Sequence, residues 1–260
     1  MNDINITISI FAVIDDIIKS IEIDPKPGPN GRLVESEILT LMVLHPVLKP
    51  FCDLKRFHRW ILHNLKNLFP NIPEYSRITR LFNNNQEYLI VVMQKLANLN
   101  SFGIIADGTT VSVMEAIRGK YAKSFRNARK VKSTSKKCWY FGFLLEMIID
   151  SKGKISHVSV GKEAEVKQLQ NLLEDLKDKW LLCDKGNRNA KVWQEFWEDK
   201  QIKVKITGGK ERQWIENVFG FLKTKLGLDR IRVRKMCSFL SRLYAILCSY
   251  NIILTLDLAI

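Results

Sequence analysis

Asp107, Asp184 and Glu216 are the residues of this 260-residue chain whose types and settings best suit chemistry. Asp107 follows the apolar run 102–106 and Asp184 follows the apolar run 180–183, so each aspartate stands at the end of an expected strand. Glu216 lies in the stretch 212–223, Arg-Gln-Trp-Ile-Glu-Asn-Val-Phe-Gly-Phe-Leu-Lys. At the helical step of about 100° per residue, Arg212, Glu216, Gly220 and Lys223 share one narrow arc. Trp214, Ile215, Val218, Phe219, Phe221 and Leu222 cover most of the remaining circumference, as expected of a helix that is largely buried. A carboxylate between two cations can hold a metal ion while the cations hold phosphate. The ordinary alternative is an Arg–Glu ion pair on a surface helix.

Two carboxylates beyond the ends of parallel strands, with a third from a packed helix, suit a pair of Mg²⁺ ions about 4 Å apart. Such a pair activates a nucleophile and stabilises a leaving oxygen in phosphodiester displacement. Mg²⁺ takes carboxylate and water oxygens, which matches a ligand set without histidine. Each aspartate also has a turn reading. Asp107-Gly108 is a common hairpin dipeptide, and Asp184-Lys-Gly-Asn has the residues of a loop turn.

The elements that must position these residues divide the chain in two. Residues 1–100 read as an all-α N-terminal domain. Helical apolar spacing over 8–23 and 34–48 flanks the Pro- and Gly-rich loop 24–31, and 54–68 is a basic amphipathic segment. A small basic helical domain of this kind serves DNA binding or assembly. Residues 101–260 read as α/β. The expected order is three strands (102–106, with 109–113 continuing it past a turn; 139–149; 155–160), then a helix, the strand 180–183, a helix, the strand 202–206 and the helix of Glu216. That order fits a ribonuclease H-like mixed five-stranded sheet flanked by helices, in which the first and fourth strands lie side by side and parallel. Asp107 and Asp184 would then share one edge.

The formal net charge is +14, which suits a polyanion, nucleic acid before an anionic membrane. Two clusters carry much of it. Residues 117–137 hold Arg118, Lys120, Lys136 and Lys137 with no acid, and residues 230–235 hold Arg230 and Arg232. With Tyr121 and Phe125 interleaved, nucleic-acid contact stands beside a solvated loop as a reading of the first set. The five cysteines form no CxxC pair, so a zinc cluster and a disulfide framework are not indicated. The uncharged run between Arg242 and Asp257 is 14 residues, which fits a core helix better than a membrane span. The expected setting is a reducing cytoplasm, beside the nucleoid, with no membrane partner.

On these residues the chain resembles the DDE transposases of bacterial insertion sequences. Their motif of Arg, three residues, Glu, six residues, Lys is met by Arg212, Glu216 and Lys223. Ile-Ala-Asp107 and Asp184-Lys-Gly look like the two aspartate segments, and residues 135–143 like the strand after the basic loop. Ser36-Glu-Ile-Leu-Thr-Leu and Pro73-Glu-Tyr-Ser-Arg-Ile-Thr-Arg-Leu81 resemble one subgroup. Gly209, Asn187 and Leu144 differ from the residues usual at their positions.

The resemblance implies that Asp107, Asp184 and Glu216 are catalytic and hold two Mg²⁺ ions, with Mn²⁺ as a substitute. It implies that Arg212 and Lys223 hold phosphates, while Arg118, Lys120, Lys136, Lys137, Arg230 and Arg232 follow the DNA backbone. The expected activity is strand cleavage and strand transfer at the terminal inverted repeats of an element, into target double-stranded DNA, by a homodimer or higher assembly. The rival reading is a transposase-derived protein that binds DNA without cutting it, motivated by Gly209, Asn187 and Leu144.

Overall fold

The structure is a computed structural model that describes residues 2–21, 33–115, 119, 123–125, 128–133, 138–161, 165–184, 190–206 and 213–259. Among the described residues the chain begins with the helices α1 (Asp3–Lys19), α2 (Glu35–Leu48), α3 (Leu54–Asn64), α4 (Tyr75–Asn84) and α5 (Gln86–Leu96). Strands β1 (Gly103–Glu115), β2 (Arg129–Ser133), β3 (Cys138–Ile149) and β4 (Ile155–Gly161) follow. Then come α6 (Glu165–Leu173), β5 (Trp180–Cys183), α7 (Ala190–Lys200), β6 (Lys203–Ile206), α8 (Gln213–Thr224) and α9 (Met236–Leu256). A 3₁₀ turn, Leu228–Arg230, separates the last two helices.

The residues group into two compact units. One comprises Met1–Leu96, Lys225–Gly227 and Arg232–Ile260, the other Ala97–Thr224 and Leu228–Ile231. A single boundary after residue 100 therefore does not describe the packing, because the C-terminal helix belongs with the N-terminal ones.

The reason lies in α2 and α9. Ile38, Leu39, Leu41, Met42, Val43, Leu44 and Val47 of α2 are all buried, so this helix is apolar around its circumference and must be surrounded. α9 helps to surround it, and its polar side chains meet carbonyls of its neighbours. Ser249 Oγ donates to Val43 O at 3.1 Å, Asn251 Nδ2 to Met93 O at 2.9 Å and Ser241 Oγ to Phe82 O at 3.2 Å. By length and composition α9 could cross a membrane, but 67% of its most apolar stretch is buried within the protein, as in a core helix.

At the end of α2, His45 is buried and stacks on Phe57 with ring centroids 4.4 Å apart. Its Nε2 lies 3.0 Å from the Cys52 carbonyl and donates to it. Burial first, and the Arg242 charge second, hold the His45 pKa well below the usual imidazole range.

The second unit is built on a six-stranded sheet with the order β2-β3-β1-β5-β6, in which β4 also pairs with β3. β2 takes the half of β3 that includes Gly142, while β4 takes the half from Leu144 to Ile149. Among the described residues the sheet is thus five positions wide but contains six strands, one more than expected. The additional strand, β2, comes from the stretch expected to be an all-loop basic segment. Its run Arg-Lys-Val-Lys-Ser has few apolar residues to mark it as a strand. Lys130 Nζ lies 5.1 Å over the Trp139 ring of β3.

Asp150 closes β3. It is fully buried, and its carboxylate accepts from the backbone N–H groups of Asn98 (2.7 Å), Lys152 (2.8 Å) and Lys154 (2.9 Å). It thereby ties the β3–β4 turn to the lead-in of β1. Within that turn Gly153 has φ +78°, and a Cβ there would come within 2.8 Å of Trp214 Nε1 on α8. The turn can therefore pass under α8 only with glycine at this position.

Asp150→Ala leaves three backbone donors without their carboxylate and lowers unfolding free energy by about 3 kcal/mol or more, measurable by urea denaturation. Gly153→Ala costs about 1–2 kcal/mol for the left-handed backbone alone, and the Trp214 clash adds to it. For His45, the unfolded chain takes up a proton near pH 6.5 that the folded chain resists. Stability therefore falls as the pH drops below about 6.5, by up to about 1.4 kcal/mol per pH unit. His157, whose pKa burial also lowers, acts in the same direction. In melting curves between pH 7 and 5, His45→Gln flattens the decline and His157 retains part of it.

Candidate active site

The two faces of the sheet are distinguished by what covers them. Ile104 and Ala106 of β1, Ile148 of β3, and Leu181 and Cys183 of β5 pack with Leu169 and Leu173 of α6 and Trp193 of α7. Side chains alternate along a strand, so Ile105, Asp107 and Thr109 lie on the opposite face.

β1 and β5 pair in parallel, with Gly103 opposite Trp180, Ile104 opposite Leu181 and Ile105 opposite Leu182. Two residues further along the same register, Asp107 stands beside Asp184. Adjacent strands are about 4.8 Å apart, so the two residues share one face, Asp184 just past the carboxyl end of β5 and Asp107 within β1, which continues to Glu115. Both residues are partly buried. Asp107 Oδ1 accepts from the Gly108 N–H at 2.9 Å.

The hairpin reading of Asp107-Gly108 is overturned. β1 runs unbroken through both residues, and Asp107 lies opposite Met147 and Gly108 opposite Glu146 of β3. Glu146 is fully buried and alternates with Met147, so it belongs to the face away from Asp107. Leu144 is also buried in β3.

α8 lies over the face of the aspartates. It buries Ile215, Val218, Phe219 and Leu222, and near its end Lys223 Nζ donates to Thr109 Oγ1 at 2.6 Å. Lys223 is thus held two residues along β1 from Asp107, on the same face. Thr109 was legible beforehand only as a β-branched strand residue, and the signal that could have identified it is its spacing of two from Asp107.

Glu216 is exposed on α8. Among the described residues no group of three or more His, Cys, Asp and Glu side chains is gathered to hold a metal ion. The fold therefore brings Asp107 and Asp184 together and places Glu216 on the helix above their face, without closing the three into one ligand set. The pair alone offers only oxygen donors. It fits a hard divalent ion such as Mg²⁺, which uses one or two carboxylates and completes its shell with water and substrate phosphate oxygens.

Arg230 is exposed in the 3₁₀ turn of this unit, and Arg232 is exposed in the other unit. Arg212, Arg118, Lys120, Lys136 and Lys137 lie outside the described residues, as do Gly209 and Asn187.

Comparison with known proteins bears on the same segment. Residues 99–213 match the family model described as a transposase DDE domain, and Glu216 and Lys223 lie just beyond the matched residues. No curated protein matches the chain. Among solved structures, the chain is similar to a pre-cleavage Mos1 transpososome at 10% identity, covering 93% of this chain and 84% of that one, with a TM-score of 0.33. It is similar to the Mos1 strand transfer complex at 12% identity, covering 86% of this chain and 74% of that one, with a TM-score of 0.35. Residues 99–213, Asp107 and Asp184 among them, thus match a transposase DDE domain.

Proposed function

We propose that the chain is a DDE transposase of an insertion sequence, with a ribonuclease H-like catalytic domain that cuts and joins DNA strands at element ends. The observation that supports this reading most is the in-register pairing of β1 with β5. It sets Asp107 beside Asp184 within a segment that matches a transposase DDE domain.

In this reading Asp107 and Asp184 hold a divalent ion, Mg²⁺ or Mn²⁺, and Glu216 serves as the third carboxylate for a two-ion site. Bound ions would supply Lewis-acid activation and charge neutralisation at the scissile phosphate. Lys223, held by Thr109 on the face of the aspartates, presents its ammonium to a DNA phosphate near them. Arg212 does the same from the start of the motif. Arg118, Lys120, Lys136, Lys137, Arg230 and Arg232 follow the duplex backbone, in keeping with the net charge of +14. The DNA partners are the terminal inverted repeats and the target, engaged by a homodimer or higher assembly in the bacterial cytoplasm.

The test uses the full chain and a labelled duplex carrying the inverted repeats that flank its gene, with Mg²⁺ or Mn²⁺. Wild-type protein cuts at the repeat end. Asp107→Asn, Asp184→Asn and Glu216→Gln each lower cutting by at least about a hundredfold, the scale of losing one transition-state contact. Calorimetric titration with Mn²⁺ gives a second readout, in which Asp107→Asn and Asp184→Asn lose binding. Wild-type protein that binds the duplex but leaves it intact would establish the DNA-binding alternative instead. Full activity in Glu216→Gln would remove that residue from the site.

A further inference from the structure

α8 lies over β1, while on β5 and β6 the face carrying the aspartates presents exposed side chains. Pairing sets Trp180 opposite Lys203, Leu181 opposite Val204 and Leu182 opposite Lys205. Ile202 and Val204 pack into the core beneath α6 and α7, so Lys203 and Lys205 project from the other face, the one shared by Asp107 and Asp184. Lys203, Lys205 and Trp180 are all exposed.

These groups lie in order along the strands. From Asp184 the lane passes Lys205 beside Leu182, then Trp180 with Lys203. Trp180 is four residues from Asp184, about 13 Å at strand rise. Lys203 Nζ sits 4.4 Å over the Trp180 ring, and Phe102, 61% exposed, has its ring centroid 6.3 Å from that of Trp180.

Resting on the transposase reading, we infer that this open half-face is a track for a single DNA strand leading away from the aspartates. Lys205 and Lys203 take successive phosphates, and Trp180, flanked by Phe102, takes an unpaired base on its ring. Cations along a lane with an exposed aromatic surface form the combination that holds single strands without reading sequence. A second copy of this chain is the poorer occupant. β6 ends the sheet order, and lysines on an edge strand oppose strand-to-strand pairing.

The test is fluorescence anisotropy of the full chain with a labelled single strand and with a duplex bearing a single-stranded tail, across a range of salt. The double variant Lys203→Gln with Lys205→Gln lowers the slope of log affinity against log salt by about 1.4, the value for two phosphates of a single strand. Trp180→Ala weakens binding of the single strand about tenfold or more and leaves the salt slope unchanged. Lys152→Gln, an exposed lysine in the β3–β4 turn, changes neither, and melting curves confirm that all variants are folded. Wild-type affinity and slope in both track variants would overturn the track while leaving the transposase reading intact. No DNA binding by the wild type would overturn that reading itself. A changed oligomeric state in sedimentation, with DNA binding unaltered, would assign the face to contact between copies and also overturn the track.

Discussion

The candidate site depends on three residue pairs, Gly103 with Trp180, Ile104 with Leu181 and Ile105 with Leu182. They join two strands that are far apart in the chain, and a parallel pairing can form only through a long connection. Here β2, β3, β4 and α6 make that connection. Strand side chains alternate, so a slip of one residue would send Asp184 into the helix-covered core and turn Cys183 out to the aspartate face. The burial of Leu181 and Cys183 beneath α6 and α7 opposes that slip. The apolar side of the sheet therefore holds the polar side in register.

The remaining contacts of this unit place α8. Asp150 secures the β3–β4 turn through its three backbone donors, and Gly153 lets the turn pass under Trp214. At the other end of the helix, Lys223 bonds to Thr109. α8 is thus held near both ends over the aspartate face, its apolar side buried and Glu216 exposed.

The two carboxylates and the lysine track share a face because of one further alternation. β6 reads Lys-Val-Lys-Ile; its Val204 packs against the core, and its lysines must then face the other way. The same local rule that seals the core makes the open half-face basic. In the helical unit the governing constraint is the apolar circumference of α2, which draws α9 across most of the sequence to cover it.

Much of this was legible in the residues. The apolar run ending at Asp184 marked a strand end, the run before Asp107 marked only the first part of a strand that continues to Glu115, the order of elements predicted their parallel adjacency, and the arc of Glu216 and Lys223 marked a helix with one polar stripe. Other features were not. Asp-Gly is as good a turn as a strand interior, because local propensity for the dipeptide does not include pairing with Met147 and Glu146. β2 was hidden because its residues are mostly cationic, and its pairing with β3 is visible only when the two strands meet. α9 showed that it must be buried but not among which helices, since apolar area carries no address. The sequence by itself determined the periodicities, the charge and the identities of the reactive groups, which are properties of neighbours along the chain. The register that joins Asp107 to Asp184, the sixth strand, the bond from Lys223 to Thr109 and the face on which Lys203 and Lys205 stand were decided only in the tertiary structure. Each depends on residues distant in sequence packing against one another.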